Sequence, residues 1–168
     1  MATPAPTSQE RVARRRARLP LTRQVEYLLE ECRMVLPGLQ ALFGFQLIVV
    51  FSDRFARELS HDEQRLHLLA IGLVAVAIVL IMTPAAYHRQ TDPEQVTRGF
   101  VRISTRLLLA SLWPLALAIC LDFYLVGRVL VGSGLMLWLT ALLFATFLLL
   151  WFVLPRVARV RRRRDDAA

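Results

Sequence analysis

Four long apolar stretches, separated by segments that share out the arginines very unevenly, constrain this chain more than any other feature. They run Met34–Phe51, Leu66–Tyr87, Leu107–Val126 and Val129–Leu154. Apart from Tyr and Cys, only His67 and Asp122 within them ionise near neutral pH. A hydrocarbon core of roughly 30 Å takes about 20 helical residues to cross, so each stretch is long enough to span it. Leu66–Leu80 and Leu135–Leu154 are apolar all round, whereas a soluble helix keeps a polar face. The chain therefore reads as an all-α polytopic membrane protein. It has four transmembrane helices in an up-down bundle, preceded by a short amphipathic helix.

The charges give an orientation. All 21 basic residues are arginine, so the charge of the loops is permanent. Seven fall in residues 1–33, four in 88–106 and six in 155–168, against three in 52–65 and one in 127–128. Arginine excess marks the cytoplasmic face of a membrane protein. Both termini and the middle loop are thus expected in the cytoplasm, with the protein multi-pass in the plasma (inner) membrane. A net charge of +8 raises the question of nucleic acid. The excess lies beside the spans, and attraction to anionic headgroups is the simpler account. Cys32 and Cys120 sit on different segments and are not expected to pair.

Residues 1–20 form a Pro-, Ala- and Arg-rich stretch without apolar periodicity, expected as a disordered cytoplasmic tail. Residues 21–33 place Leu21, Val25, Leu28 and Leu29 on one helical face. This short helix either lies at the interface or runs straight into the first span. Pro37-Gly38 marks the entry to that span and predicts a kink. Ser60, with Glu63 three residues on, predicts a capping box at the start of the second helix. Thr91–Glu94 is a turn or a helix start. Arg98, Arg102 and Arg106 recur every four residues and, with Arg161 and Arg162 in the basic 155–168 tail, are expected to meet lipid phosphates. A very tight connection at Gly127-Arg128 should join the third and fourth spans as a hairpin.

Polar groups inside spans are costly in lipid and commonly turn inward. Gln40 and Gln46 lie about 240° apart around the first helix and do not share a face. Glu30, Arg33, Pro37, Gln40 and Gly44 fall along one stripe, which reads either as a polar path from the cytoplasm or as helix–helix glue. Asp122 is read as an outer anchor beside Arg128; set deeper, it would be a cation- or proton-binding group. His67 and His88, about 31 Å apart on one helix, cannot form one site and read as interface anchors. Ala70, Ala77 and Pro84, and Ser104, Ser111 and Ala118, recur at seven-residue spacing suited to helix packing. No phosphate loop, HExxH, CxxC or nucleophile elbow occurs. No metal ligand, cofactor or catalytic residue is assigned, and an enzyme is not expected.

Leu28–Phe55, Gln64-Arg65 and Thr83–Arg89 (TPAAYHR) resemble the pattern of the domain-of-unknown-function 6328 family. Its members are small bacterial integral membrane proteins with four helices, some of them labelled sodium:proton antiporters. The resemblance covers roughly residues 24–127, and Pro-Gly-x-Gln and Ala-Tyr-His-Arg are its most specific pieces. It marks Glu30, Arg33, Gln40, Arg54, Gln64, Arg65, Tyr87, His88 and Arg89 as motif positions. The chain departs from the family pattern at Thr91–Glu94. Two functions are carried forward: a non-enzymatic interaction or accessory component, self-associating or bound to a membrane partner, and a cation/proton antiporter.

Overall fold

Each apolar stretch becomes a helix that outruns its hydrophobic segment, because in lipid a helix meets every backbone hydrogen bond internally. The computed structural model describes residues 21–90 and 98–165. In chain order these form α1 (Leu21–Val50), α2 (Asp53–Glu58), α3 (His61–Gln90), α4 (Arg98–Val131) and α5 (Ser133–Leu148). A π-helical stretch, Leu149–Val153, then leads into α6 (Leu154–Asp165). Four segments are long and apolar enough to cross a membrane: Val25–Val50, His61–Gln90, Arg98–Val131 and Gly134–Ala158. The protein is a multi-pass helical membrane bundle. The expected tail at 1–20 and the turn at Thr91–Glu94 lie outside the described residues, as do the side chains of Arg161 and Arg162.

One local expectation changes and one alternative is chosen. Of the two alternatives for the amphipathic segment, it runs straight into the first span: α1 is one helix from Leu21 to Val50, with Pro37 inside it and exposed. The third and fourth spans do not turn at Gly127-Arg128, for α4 continues to Val131. The break falls at Gly132, whose φ of 101° and ψ of 162° belong to a region open essentially to glycine alone. Gly127 has a different task, since a β-carbon there would strike the Met136 side chain of α5. The basic 155–168 segment begins within helix α6 (Leu154–Asp165). Pro155 has no N–H to bond the Trp151 carbonyl, and the turn before it widens, with the Leu154 N–H bonding Leu149 O.

The closest interface joins α3 to α4. The buried positions of α3 are Glu63, His67, Ala70, Val74, Ala77, Ile81 and Pro84, alternating steps of four and three. That is the heptad register of packed antiparallel helices. Facing it, α4 buries Ser104, Ser111, Leu115, Ala118 and Leu125. The six small residues singled out by their spacing are all buried, and side chains of that size let two backbones approach closely. On α1 the inward positions Val25, Cys32, Leu39 and Gln46 are themselves seven apart. Leu28, Cys32, Leu39, Ala77, Ile81 and Leu115 form one cluster, with Trp151 packed against it.

The fourth span is peripheral. Among its described residues Met136 alone is buried, and Trp138 is exposed to 77%. It is held to α4 by Met136 against Gly127 and by Phe152 against Trp113, ring centroids 4.3 Å apart. Both cysteines are buried and free.

Candidate functional site

At the arginine-poor end, where α1 finishes, α3 begins and α4 meets α5, the bundle carries its buried polar groups. Ser60 opens α3, and its N–H donates to Glu63 Oε2 at 2.8 Å, the half of the capping box in which Glu reaches back. Its hydroxyl also donates to that oxygen, at 2.7 Å, rather than accepting from the Glu63 N–H. Gln64 Nε2 donates to Leu59 O at 3.0 Å and ties down the α2–α3 turn. The other Glu63 oxygen pairs with Arg128 of α4. Arg128 is thus the partner of Glu63 and not of Asp122.

Asp122 lies six residues before Arg128, about 9 Å further along the helix axis. Gln46 Nε2 of α1 donates to Asp122 Oδ2 at 2.6 Å. His67 of α3 bonds the Gln46 backbone carbonyl through Nε2 at 3.0 Å, while its Nδ1 stands 3.5 Å from Asp122 Oδ1. A carbonyl only accepts, so the Nε2 of His67 carries a proton. Only the doubly protonated ring can then offer Nδ1–H to Asp122, and 3.5 Å is long for a hydrogen bond. The Phe55 ring of α2 stands edge-on to His67, centroids 5.3 Å apart. Three helices therefore meet through one Gln, one His and one Asp. Neither Asp122 nor His67 is an exposed interface anchor. Their side chains are only 18% and 7% exposed.

Two side-chain oxygens in this cluster, Gln46 Oε1 and Asp122 Oδ1, are buried without a hydrogen-bond partner. Both residues line a cavity of about 340 Å³ between α1, α2 and α4, with walls that include Phe45, Val49, Leu125 and Val126. A second cavity, of about 450 Å³, opens between α1 and α4 towards the arginine-rich end, beside Tyr27, Cys32 and Leu108. Between the two, the seam is closed by the apolar cluster containing Leu39, Ala77 and Leu115.

The stripe proposed on α1 is not brought to this site. Glu30, Arg33, Pro37 and Gln40 are exposed, and Gly44 is half-buried. Among the described polar side chains on α1, Gln46 is the one that joins the cluster described above. Arg54 is exposed and lines the 340 Å³ cavity. Arg65 is exposed and pairs with Asp62 at 3.2 Å, a contact worth little in water. At the opposite end, Tyr87 stacks on Phe100 (centroids 5.7 Å) and His88 tilts against the same ring (5.6 Å). These contacts join the end of α3 to the start of α4. Arg89, Arg98, Arg102 and Arg106 are exposed there. Among the described residues no group of three His, Cys, Asp or Glu is placed to hold a metal.

The signals that bring these residues together were in the sequence. Four residues beyond Ala118 is Asp122, and three and seven before Ala70 are His67 and Glu63. The heptads that identified the packing seam pass directly through the polar cluster. No curated protein and no solved structure matches the chain. The model of the family of unknown function DUF6328 matches residues 11–155, most of its length. The chain is a member of that family.

Proposed function

We propose that this protein is a non-enzymatic component of the plasma (inner) membrane, acting as an interaction or accessory subunit with both termini in the cytoplasm. The observation carrying this reading is the apolar closure between the two cavities. Leu39, Ala77 and Leu115 offer no polar atom to an ion moving from one end to the other. The arginine bias supports the orientation, with anionic headgroups held by the exposed Arg98, Arg102 and Arg106. The uncovered fourth span supplies a face for a second copy or a membrane partner.

A second reading, cation/proton antiport, is favoured by one observation: a carboxylate facing a histidine inside the bundle. Reconstitution separates the two. The first reading expects no sodium-driven proton flux in proteoliposomes, and one discrete adduct from a photo-crosslinker placed at Trp138 in cells. Flux that disappears in Asp122→Asn would overturn it in favour of antiport. Crosslinks to lipid alone would remove the accessory role.

A further inference from the structure

We propose that the outward face of α1 pairs two copies of this chain side by side, Gln40 of each copy donating to and accepting from Gln40 of the other inside the hydrocarbon. The pairing involves α1 rather than the uncovered fourth span, and it is independent of the choice between the two functions above.

The polar stripe on α1 lies away from the bundle and is uncovered. Counting about 100° per residue, Glu30, Arg33, Pro37 and Gly44 fall about 20–80° to one side of Gln40. The inward Val25, Cys32, Leu39 and Gln46 fall about 60–120° to the other. Glu30, Arg33, Pro37 and Gln40 are exposed, and a β-carbon added at Gly44 would meet nothing within 4 Å.

Gln40 is the residue that demands a neighbour. It lies about 9 Å along the axis from Met34 and about 16 Å from Phe51, the two ends of the apolar stretch. At that depth it hydrogen-bonds nothing among the described residues. Water is absent there, and an amide left unpaired in hydrocarbon is penalised. Long arginine stems snorkel back to the surface, but the short glutamine stem does not cover that distance. Polar side chains in spans turn to another helix, and the side that Gln40 faces is open.

The chemistry of the face selects a second copy. A carboxamide carries both donors and an acceptor, so it satisfies its own twin reciprocally across a two-fold axis. Copies inserted with one topology run parallel, which sets the two Gln40 side chains at the same depth. Alternating steps of three and four lead from Glu30 through Arg33, Pro37, Gln40 and Gly44 to Leu47 and Phe51, the register of a helix pair. Leu47 and Phe51 are exposed as well (40% and 88%), and Gly44, one turn past Gln40, lets the backbones come close. Among the described residues Glu30 and Arg33 have no ion-pair partner. In a parallel pair Glu30 of one copy lies beside Arg33 of the other, and the contact is made twice.

The test uses the full chain in cell membranes, with disulfide trapping as the readout. Leu47→Cys should give a covalent dimer under mild oxidation. Wild type, whose two cysteines are buried, and Leu69→Cys, exposed on α3, should not. Adding Gln40→Leu to Leu47→Cys should cut the trapped fraction several-fold. Gly44→Phe, which fills the notch, should do the same and keeps the test decisive if the first variant misfolds. Trp138→Leu, on the fourth span, is the control and should leave the fraction unchanged. No dimer from Leu47→Cys, an adduct whose mass spectrum shows a different protein, or full trapping with Gln40→Leu and Gly44→Phe would each overturn the proposal. Loss of the dimer with Trp138→Leu would also overturn it, by moving the second copy to the fourth span.

Discussion

Glu63 serves two structures at once, and its two oxygens allow them to be separated. Oε2 holds the start of α3 through the Ser60 N–H and hydroxyl; Oε1 pairs with Arg128 at the end of α4. The Glu63 side chain is 10% exposed and that of Arg128 is 35%. Breaking a fully buried pair by removing one partner costs about 3–5 kcal/mol, whereas an exposed pair contributes about 0–1 kcal/mol. With one partner a third exposed, screening places this pair between those limits, at about 1–2 kcal/mol. Glu63→Gln keeps an acceptor for Ser60, because a capping box accepts Gln, and so removes the ion pair alone. Glu63→Ala removes both, for roughly 1 kcal/mol more. At this chain length 1 kcal/mol moves a melting point by about 2–4 °C, so Glu63→Gln should lower Tm by roughly 2–8 °C. Circular-dichroism melts in a mild detergent read the effect. Melts of Glu63→Gln, Arg128→Gln and the double variant then give the coupling. A coupling below about 0.5 kcal/mol, the usual error of additivity, would refute the reasoning and make the pair a bystander.

The remaining tests address the backbone and the seam. Gly132→Ala should cost about 1–3 kcal/mol, because its backbone lies in the glycine-only region; an unchanged Tm would mean the α4–α5 junction has another shape. Gln46→Leu should destabilise by about 1–3 kcal/mol through the donor lost to Asp122, whereas Gln40→Leu, on the exposed face, should be neutral. Equal melting points for these two variants would show that α1 is rotated the wrong way. Ala77→Leu, at a fully buried seam position, should cost at least about 1–3 kcal/mol by overpacking. Val79→Leu, 65% exposed two residues on, should melt like wild type, and a reversed order would move the α3–α4 interface to another face.

Much of the fold was legible because crossing lipid needs length and apolarity, and both are written locally. The capping box was legible for the same reason, as a four-residue motif meeting its own backbone. Helix rotation was harder to read. In a soluble helix the polar face marks the outside, but in a bilayer the outside is apolar too, and hydrophobic contrast no longer picks the inward face. Polarity on α1 therefore misled. Glu30, Arg33 and Gln40 point away from the bundle, while Gln46 points in. The hairpin turn was misplaced by the same habit. Arg128 looked like a loop residue because it is charged, yet it stays helical with Glu63 as its partner. Gly127 looked like part of the turn, yet it lies within α4 and leaves space for Met136. The actual break, Gly132, is distinguished by backbone conformation, which composition does not display.

The reliable signal was residue size at fixed spacing, and it accounts for where the polar cluster sits. Towards the arginine-rich end the α3–α4 seam is built from Ala70, Ala77 and Pro84 against Ser104, Ser111 and Ala118. Side chains that small bring the backbones together, and the few polar atoms can bond within their own helix, as the Ser111 hydroxyl does with Leu108 O at 2.7 Å. Continuing the same registers towards the arginine-poor end reaches His67 and Glu63 on α3 and Asp122 on α4, residues too large and polar to interlock in that way. There the contacts change from packing to hydrogen bonds, α1 contributes Gln46 to complete them, and a cavity opens beside them. A seam that is close-packed along part of its length and hydrogen-bonded at one end resists separation by packing in the first part and by polar contacts in the second. The physical distinction lies in the side chains that one unbroken heptad carries, and substitutions at Ala77 and Asp122 should therefore damage the protein in different ways: the first by forcing helices apart, the second by leaving Gln46 and His67 without the group that joins them.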